Sequence, residues 1–303
     1  MRRGAYMPAA HVPLRDRAPE ERARGLRPAG WSAPGPQPAP DLADADMYAG
    51  SDEDLSYLLG DFRIFQKKDG HRWSLDDFVT AWVALEHVHN APRATAHAID
   101  LGTGIASVLN MVAWGLRDAT LVGVEAQDPS IALARRTIRY NGLTPRVTLR
   151  HGDFRDENVL GEQGVFDLVT GTPPYIPLGS GLVSEKIQRG PCCFETRGGV
   201  DDYVRVAARV MHREGAAVVC SGLASGPRLQ RAAELAGLAL IERVVVVPRA
   251  GKAPLLDVGV FARGAGESAP TAERVFTVRD ERGKLTAQMH AARERMGLPP
   301  SRG

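Results

Sequence analysis

"AHAIDLGTGIASVLNMVAWGL", Ala96 to Leu116, changes character partway along. It opens as a short apolar run that closes in Asp100 and two glycines. It continues with Ile105, Val108, Leu109, Val112 and Leu116 at helical spacing, which makes one apolar face. A strand, a glycine-rich turn and an amphipathic helix in that order predict the start of a β-α-β unit.

The alternation continues outward from this stretch. "TLVGVEA" reads as a second strand. "DPSIALARRTIRYNG" reads as a helix, with Asp128 as cap, Pro129 at the first helical position and Asn141-Gly142 at its end. "RVTLRHGD" and "FDLVTG" are strands three and four, "VDDYVRVAARVMHREG" a helix and "AAVVCSG" strand five. "GPRLQRAAELAG" is a helix running from Pro227 to Gly237. "LALIERVVVV" and "PLLDVGVFAR" are separated only by "PRAGKA", too short for a helical crossover, so this last pair is antiparallel. The expected fold class is α/β: a Rossmann-like, doubly wound, seven-stranded, mostly parallel sheet with an antiparallel edge hairpin.

Composition sets the boundaries. Up to Arg27 there are seven arginines against three acids; "RPAGWSAPGPQPAP" holds five prolines, and "DLADADMYAGSDED" six acids and no base. Such segments bury too little apolar surface to offset the entropy of ordering. They predict a disordered tail over 1–60, followed by the α/β domain over 61–265 and a C-terminal extension over 266–303. The acid-free, arginine-bearing opening leaves organelle targeting open beside a cytoplasmic location. No apolar run approaches the roughly 20 residues that span a bilayer. Cys192, Cys193 and Cys220 lack C-x-x-C spacing and the eight histidines show no metal pattern, so neither a zinc site nor a disulfide framework is expected.

In open α/β sheets, ligands bind beyond the carboxyl ends of the strands. Those tips carry Asp100, Gly102 and Gly104, then Glu125, then Gly152-Asp153, then Thr172-Pro173-Pro174-Tyr175. The glycines allow close backbone approach. An acid at the second tip can hold both ribose hydroxyls, and Asp153 can accept from an adenine amino group. A dinucleotide fits poorly: Ser107 stands where its fingerprint needs glycine, and Asp100 would repel a pyrophosphate. A cationic nucleoside fits better.

This constellation resembles the class I S-adenosylmethionine-dependent methyltransferases, from about Phe62 to Arg263. The resemblance implies S-adenosyl-L-methionine as cofactor. It puts Asp100, Gly102 and Gly104 on its methionine end, Glu125 on the ribose and Asp153 on the adenine. Ala106 replaces a third glycine that many members carry.

"TPPY" resembles the Asn/Asp-Pro-Pro-Tyr of the amino-methylating branch. An exocyclic or carboxamide nitrogen is a poor nucleophile because its lone pair is delocalised. A site that accepts its N–H bonds draws it toward tetrahedral geometry, in line with the methyl group. Thr172 and a proline carbonyl would supply the acceptors, with proline fixing the backbone direction, and Tyr175 would stack on the planar group. Thr172 stands where asparagine or aspartate is usual. "FQKKDGHRWSLDDFVTAWVA" resembles the leading segment of tRNA adenine-N6 and small-domain methyltransferases through Gln66, Gly70, Arg72, Trp73, Ser74 and Asp76. That implies a lid in which Arg72 and Ser74 touch the cofactor. "RGGVDDY" and "FTVRDERGKLT" also resemble this branch.

The acceptor so implied is adenine N6 in RNA, chiefly tRNA. Lys67, Lys68, His71, Arg72, Arg249 and Lys252 are available to neutralise phosphates. Release-factor glutamine methyltransferases share the Pro-Pro-Tyr corner, so a protein glutamine or small-molecule amine remains the alternative acceptor. Their usual helical substrate domain has no counterpart ahead of Phe62, which favours small amines over peptides within that alternative. A silent binding subunit is a third reading. The loop Gly179 to Gly199 is expected to shape the acceptor pocket.

Overall fold

The computed structural model describes residues 30–161, 163–175, 198–222, 225–264 and 271–300. The loop expected at the acceptor pocket lies outside them except for residues 198–199, as do Cys192 and Cys193.

Ten strands and seven helices alternate along these residues. In chain order they are β1 (Glu53–Tyr57), β2 (Arg63–Lys67), α1 (Leu75–Asn90), β3 (His97–Leu101), α2 (Ser107–Gly115), β4 (Thr120–Glu125), α3 (Asp128–Tyr140) and β5 (Val147–His151). Then come α4 (Glu157–Leu160), β6 (Phe166–Gly171), α5 (Val200–Val210), β7 (Met211–Gly222), α6 (Gly226–Ala236), β8 (Ala239–Val247), β9 (Leu256–Ala262), β10 (Ala272–Thr277) and α7 (Ala287–Arg295). Eight strands form one sheet in the order β10-β8-β9-β7-β6-β3-β4-β5. Only β9 runs against its neighbours. The chain winds from β3 out to β5, then returns past β3 to β6. The crevice between the carboxyl ends of β3 and β6 is therefore the switch point where such sheets bind ligands.

Strand periodicity sorts the core into two faces. Ala98 and Leu168 face the layer holding Phe78, Val79, Leu109 and Val112. Ile99, Leu101, Val169 and Val219 face the layer holding Val204, Ala207, Leu229 and Ala233. Asp100 and Thr170 are registered neighbours on β3 and β6, so the same alternation puts a carboxylate and a hydroxyl side by side.

Two expectations change. The sheet has eight strands because β10, placed in an extension by composition, pairs in parallel with β8 and moves the β8–β9 hairpin inward from the edge. Phe276 packs on Trp82 with ring centroids 4.6 Å apart, and Met289, Ala292 and Met296 are buried. The tail does not extend to residue 60. Met47, Leu58 and Leu59 are buried, and β1 and β2 form a separate antiparallel hairpin against α3.

Long-range polar contacts hold that hairpin. Arg136 pairs with Glu53 at 2.7 Å and donates to the Tyr48 carbonyl at 2.7 Å; Arg139 pairs with Asp44 and Asp46. Burial would raise the Glu53 pKa, but the Gly50 amide, Arg136 and Lys67 together hold it at about 2. The free edge of β2 is satisfied by Thr137 of α3 and by Asn141, which caps that helix. Asn141 accepts from the Arg63 amide at 2.9 Å and donates to the Arg63 carbonyl at 2.8 Å, and Thr137 accepts from the Phe65 amide at 3.2 Å. Asn141→Ala strands two buried backbone groups. It is expected to cost about 2–4 kcal/mol, seen as a lower urea midpoint. An unchanged midpoint would mean that water reaches those groups. No helix among the described residues is long and apolar enough to cross a membrane.

Candidate active site

The turn after β3 is built for close approach. Gly102 has φ +60°, and a Cβ there would stand 2.2 Å from the Tyr203 hydroxyl, so no larger residue fits. Gly104 has φ +58° but faces open space, leaving its backbone bare toward the crevice. Ala106, the residue in place of a third glycine, also takes a left-handed conformation, φ +67°. That costs an alanine about 1–2 kcal/mol.

Asp100 is buried at the base of this turn. It accepts from the Thr103 hydroxyl at 2.6 Å and from the Thr170 hydroxyl at 2.7 Å. Burial pushes its pKa up to about 6 against the lowering effect of these two bonds, and the Glu125 charge adds to the rise. Asp77, buried beneath the pocket on α1, is likewise pushed up, by burial first and then by the Asp76 charge. Glu125 ends β4. Its carboxylate accepts from the Gly104 amide at 2.8 Å and the Gln127 amide at 2.7 Å, each through a different oxygen. Two carboxylate oxygens at a strand tip are the acceptor type that a pair of vicinal hydroxyls needs.

One pocket gathers most of the expected residues. Gly102, Gly104, Glu125, Asp153, Thr172, Pro173, Pro174 and Tyr175 line it; Asp100 is absent from the lining and is buried behind it, bonded to the lining residue Thr103. Asp76 of the expected lid segment and His71, expected among the phosphate-facing cations, line it too, as do Asp77, Gln127, Phe154 and Tyr203, which sequence did not single out. Phe154 directly follows Asp153 and packs edge-on against Tyr203, with centroids 4.5 Å apart. An apolar residue beside the acid expected at the adenine was the available signal.

Three residues behave differently from expectation. Arg72 is absent from the pocket lining and pairs with Asp54 of β1 at 2.7 Å. Ser74 is absent too. It stands at the N-cap of α1, where its amide donates to Asp77 at 2.9 Å and its hydroxyl donates to Asp76. Helix capping claims the serine, and the pocket-facing groups of this segment are His71, Asp76 and Asp77. Tyr175 lines the pocket, but its hydroxyl turns inward, donating to Asp76 at 2.9 Å and lying 2.9 Å from the Cys220 sulfur. Burial, then the neighbouring Cys220 and Asp76, raise its pKa well above the phenol norm. Asp153 is clasped by Arg155 at 2.6 Å and 3.0 Å, so an adenine amino group would share that carboxylate. Thr172, by contrast, makes no hydrogen bond through its hydroxyl among the described residues.

The charge of the lining discriminates between ligands. Among the described residues, Asp76, Asp77, Glu125 and Asp153 line the pocket, and His71 is the only basic side chain in that lining. A diphosphate would be repelled. A nucleoside carrying a sulfonium and an ammonium group fits the charge, the glycine approach and the ribose acceptors.

The order of strands, the glycine turn and the crevice together define the class I methyltransferase fold. A predicted O-methyltransferase of known structure from Agrobacterium tumefaciens superposes with a TM-score of 0.52. The pair are 18% identical, and the superposition covers 76% of this chain and all of that one. No family model matches the chain. It is 39% identical over 98 residues to the release factor glutamine methyltransferase of Geobacter sulfurreducens, 32% of each chain. It is 28% identical over 98 residues to the tRNA1(Val) (adenine(37)-N6)-methyltransferase of Porphyromonas gingivalis, 31% of this chain and 37% of that one. The chain thus matches about a third of the length of these relatives.

Proposed function

We propose that this protein is an S-adenosylmethionine-dependent N-methyltransferase whose acceptor is adenine N6 in RNA. The observation that carries the reading is the meeting, in one acid-lined pocket at the switch point, of the nucleoside set and the Thr172–Tyr175 corner.

Asp100 and the bare backbone at Gly104 would hold the methionine end, Glu125 the ribose hydroxyls, and Asp153 with Phe154 the adenine. When bound, the cofactor supplies an electrophilic methyl group. The Thr172 hydroxyl, which makes no hydrogen bond among the described residues, can accept an N–H of the acceptor, and the Pro173 carbonyl can accept the second. Thr172 and the Pro173 carbonyl would hold the acceptor nitrogen by its N–H groups toward that methyl group, and the proton given up on methylation would pass to solvent. The protein contributes orientation and preplaced acceptors. Asp76 fixes the Tyr175 ring from below, so a ring face stays at the pocket wall.

A second reading, transfer to a glutamine carboxamide, is favoured by the Geobacter relative. Adenine N6 and a carboxamide nitrogen are both planar and conjugated, so the same corner serves either. Purified protein, methyl-labelled S-adenosylmethionine and a cell extract separate them. Nuclease-sensitive label recovered as N6-methyladenosine is the expected result. Label released only by protease would transfer the assignment to glutamine. No label in either fraction would remove both.

A further inference from the structure

The cations expected near the phosphates divide sharply in the structure. Lys67 is paired with Asp52 and Glu53, Arg72 with Asp54, and Lys68 donates to the Ser51 carbonyl. Asp52, Glu53 and Asp54 thus neutralise Lys67 and Arg72. Arg249 and Lys252, in the β8–β9 turn, carry no carboxylate partner among the described residues.

They also have company. β10 runs parallel to β8, so the turn after it emerges at the same edge. The Ala250 amide donates to the Arg279 carbonyl at 2.8 Å, and Arg249 donates to the Glu281 carbonyl, locking the two turns together. Arg279, Arg282 and Lys284 thereby join Arg249 and Lys252 on one exposed surface. None of the five pairs with a carboxylate among the described residues. Against them stand Asp280, whose oxygen accepts the Arg282 and Lys284 amides at 2.9 Å, and exposed Glu281. Five cations against two acids leave a local charge of +3 in a chain whose net charge is only +2.

Position gives the patch its meaning. β8 and β10 run in the same direction as β6, so both turns rise from the carboxyl edge that holds the pocket. Gly222, at the end of β7, lies against Tyr175 and pairs with Leu256, which pairs with Val246. From β7 to β10 is three strand spacings, about 14 Å. That span matches two or three nucleotides of backbone.

We infer that the two turns, residues 249–252 and 279–284, form a docking surface for an RNA phosphate backbone, holding it while an adenine reaches the pocket. The inference rests on the RNA reading above. The interaction is point-charge neutralisation of phosphates, so it carries no base specificity and is salt-dependent, with about 0.7–0.9 of log–log slope per phosphate engaged.

The test uses the full chain with S-adenosylhomocysteine and unfractionated tRNA, by filter binding across a potassium chloride series. Two variants are compared: all five cations to glutamine, and Lys252→Glu with Arg282→Glu and Lys284→Glu. The second touches only side chains that make no hydrogen bond among the described residues, so it spares the turn. Both should keep wild-type S-adenosylhomocysteine affinity, and the triple variant should also keep the wild-type melting temperature. Both should bind tRNA on the order of 100-fold more weakly at moderate salt, with the salt slope lower by about 2–4. A wild-type slope and affinity in the triple variant would overturn the docking surface. If the wild type also methylates tRNA, the RNA reading survives that loss. Wild-type protein that ignores tRNA and labels only a protein glutamine would overturn both.

Discussion

Asp100→Asn is expected to make the protein more stable at pH 7.5 and, at the same time, nearly unable to hold its cofactor. Asp100 is buried, and its folded pKa is raised to about 6 from an unfolded reference of 3.8. The native state therefore binds this proton more tightly than the unfolded chain does. The contribution to stability is fully present below the unfolded value and is lost as pH rises through about 6. Above that, the ionised carboxylate costs roughly 3 kcal/mol at 1.36 kcal/mol per unit. Asparagine does not titrate. It retains one acceptor, so one of the Thr103 and Thr170 hydroxyls must turn to accept from the new amide, which offsets about 1 kcal/mol. The net gain of about 2 kcal/mol corresponds to roughly 4–8 °C in Tm for a domain of this size. The gap between variant and wild type should open between pH 4 and 6.5 and then stay constant. The same substitution removes the anion that would face the ammonium group. Charge-assisted bonds contribute about 1.5–3 kcal/mol, so S-adenosylhomocysteine should bind on the order of 100-fold more weakly by calorimetry. Wild-type affinity should fall as pH drops below 6, and the variant's should not. A variant less stable than wild type at pH 7.5, with a pH-independent gap, would show that Asp100 is fully compensated by its hydroxyl partners.

Such a trade of stability for a binding charge was half visible in the sequence. Asp-x-Gly-x-Gly at the end of an apolar run announced the turn, and the run of strand-helix units placed it at a sheet edge. Thr170, which holds Asp100, could not be assigned, because the pairing needs the β3–β6 register across 70 residues. The same limit explains the tail. Six acids between Asp41 and Asp54 look solvated when only neighbours are counted. Their partners Arg136, Arg139, Lys67 and Arg72 lie elsewhere along the chain, and the pairing docks the segment. β10 was missed as a sheet strand because its partner β8 is contributed by residues some thirty positions earlier. Arg72 and Ser74 were assigned through a resemblance of pattern. The geometry gives one to an ion pair and the other to a helix cap.

Thr172→Val is expected to lower the rate of methyl transfer about 100-fold while leaving S-adenosylhomocysteine affinity within about threefold. The valine keeps the shape of threonine and its β-branched backbone preference, so the Pro173-Pro174 corner should not move. Only the hydroxyl is lost, and it makes no hydrogen bond among the described residues, so folding has little to lose. A transition-state acceptor typically contributes 10²–10³ in turnover. Because that contribution grows only as the nitrogen leaves planarity, the loss should appear in kcat and leave the acceptor KM nearly constant. Thr172→Asn is the complementary variant. A longer acceptor at the same position should retain or raise turnover if the corner works by accepting N–H bonds. Equal losses of turnover and cofactor affinity in the valine variant would mean that Thr172 braces the cofactor wall. A valine variant with full turnover would assign both acceptor bonds to backbone carbonyls of the corner, and in that case asparagine, being bulkier, should slow the enzyme.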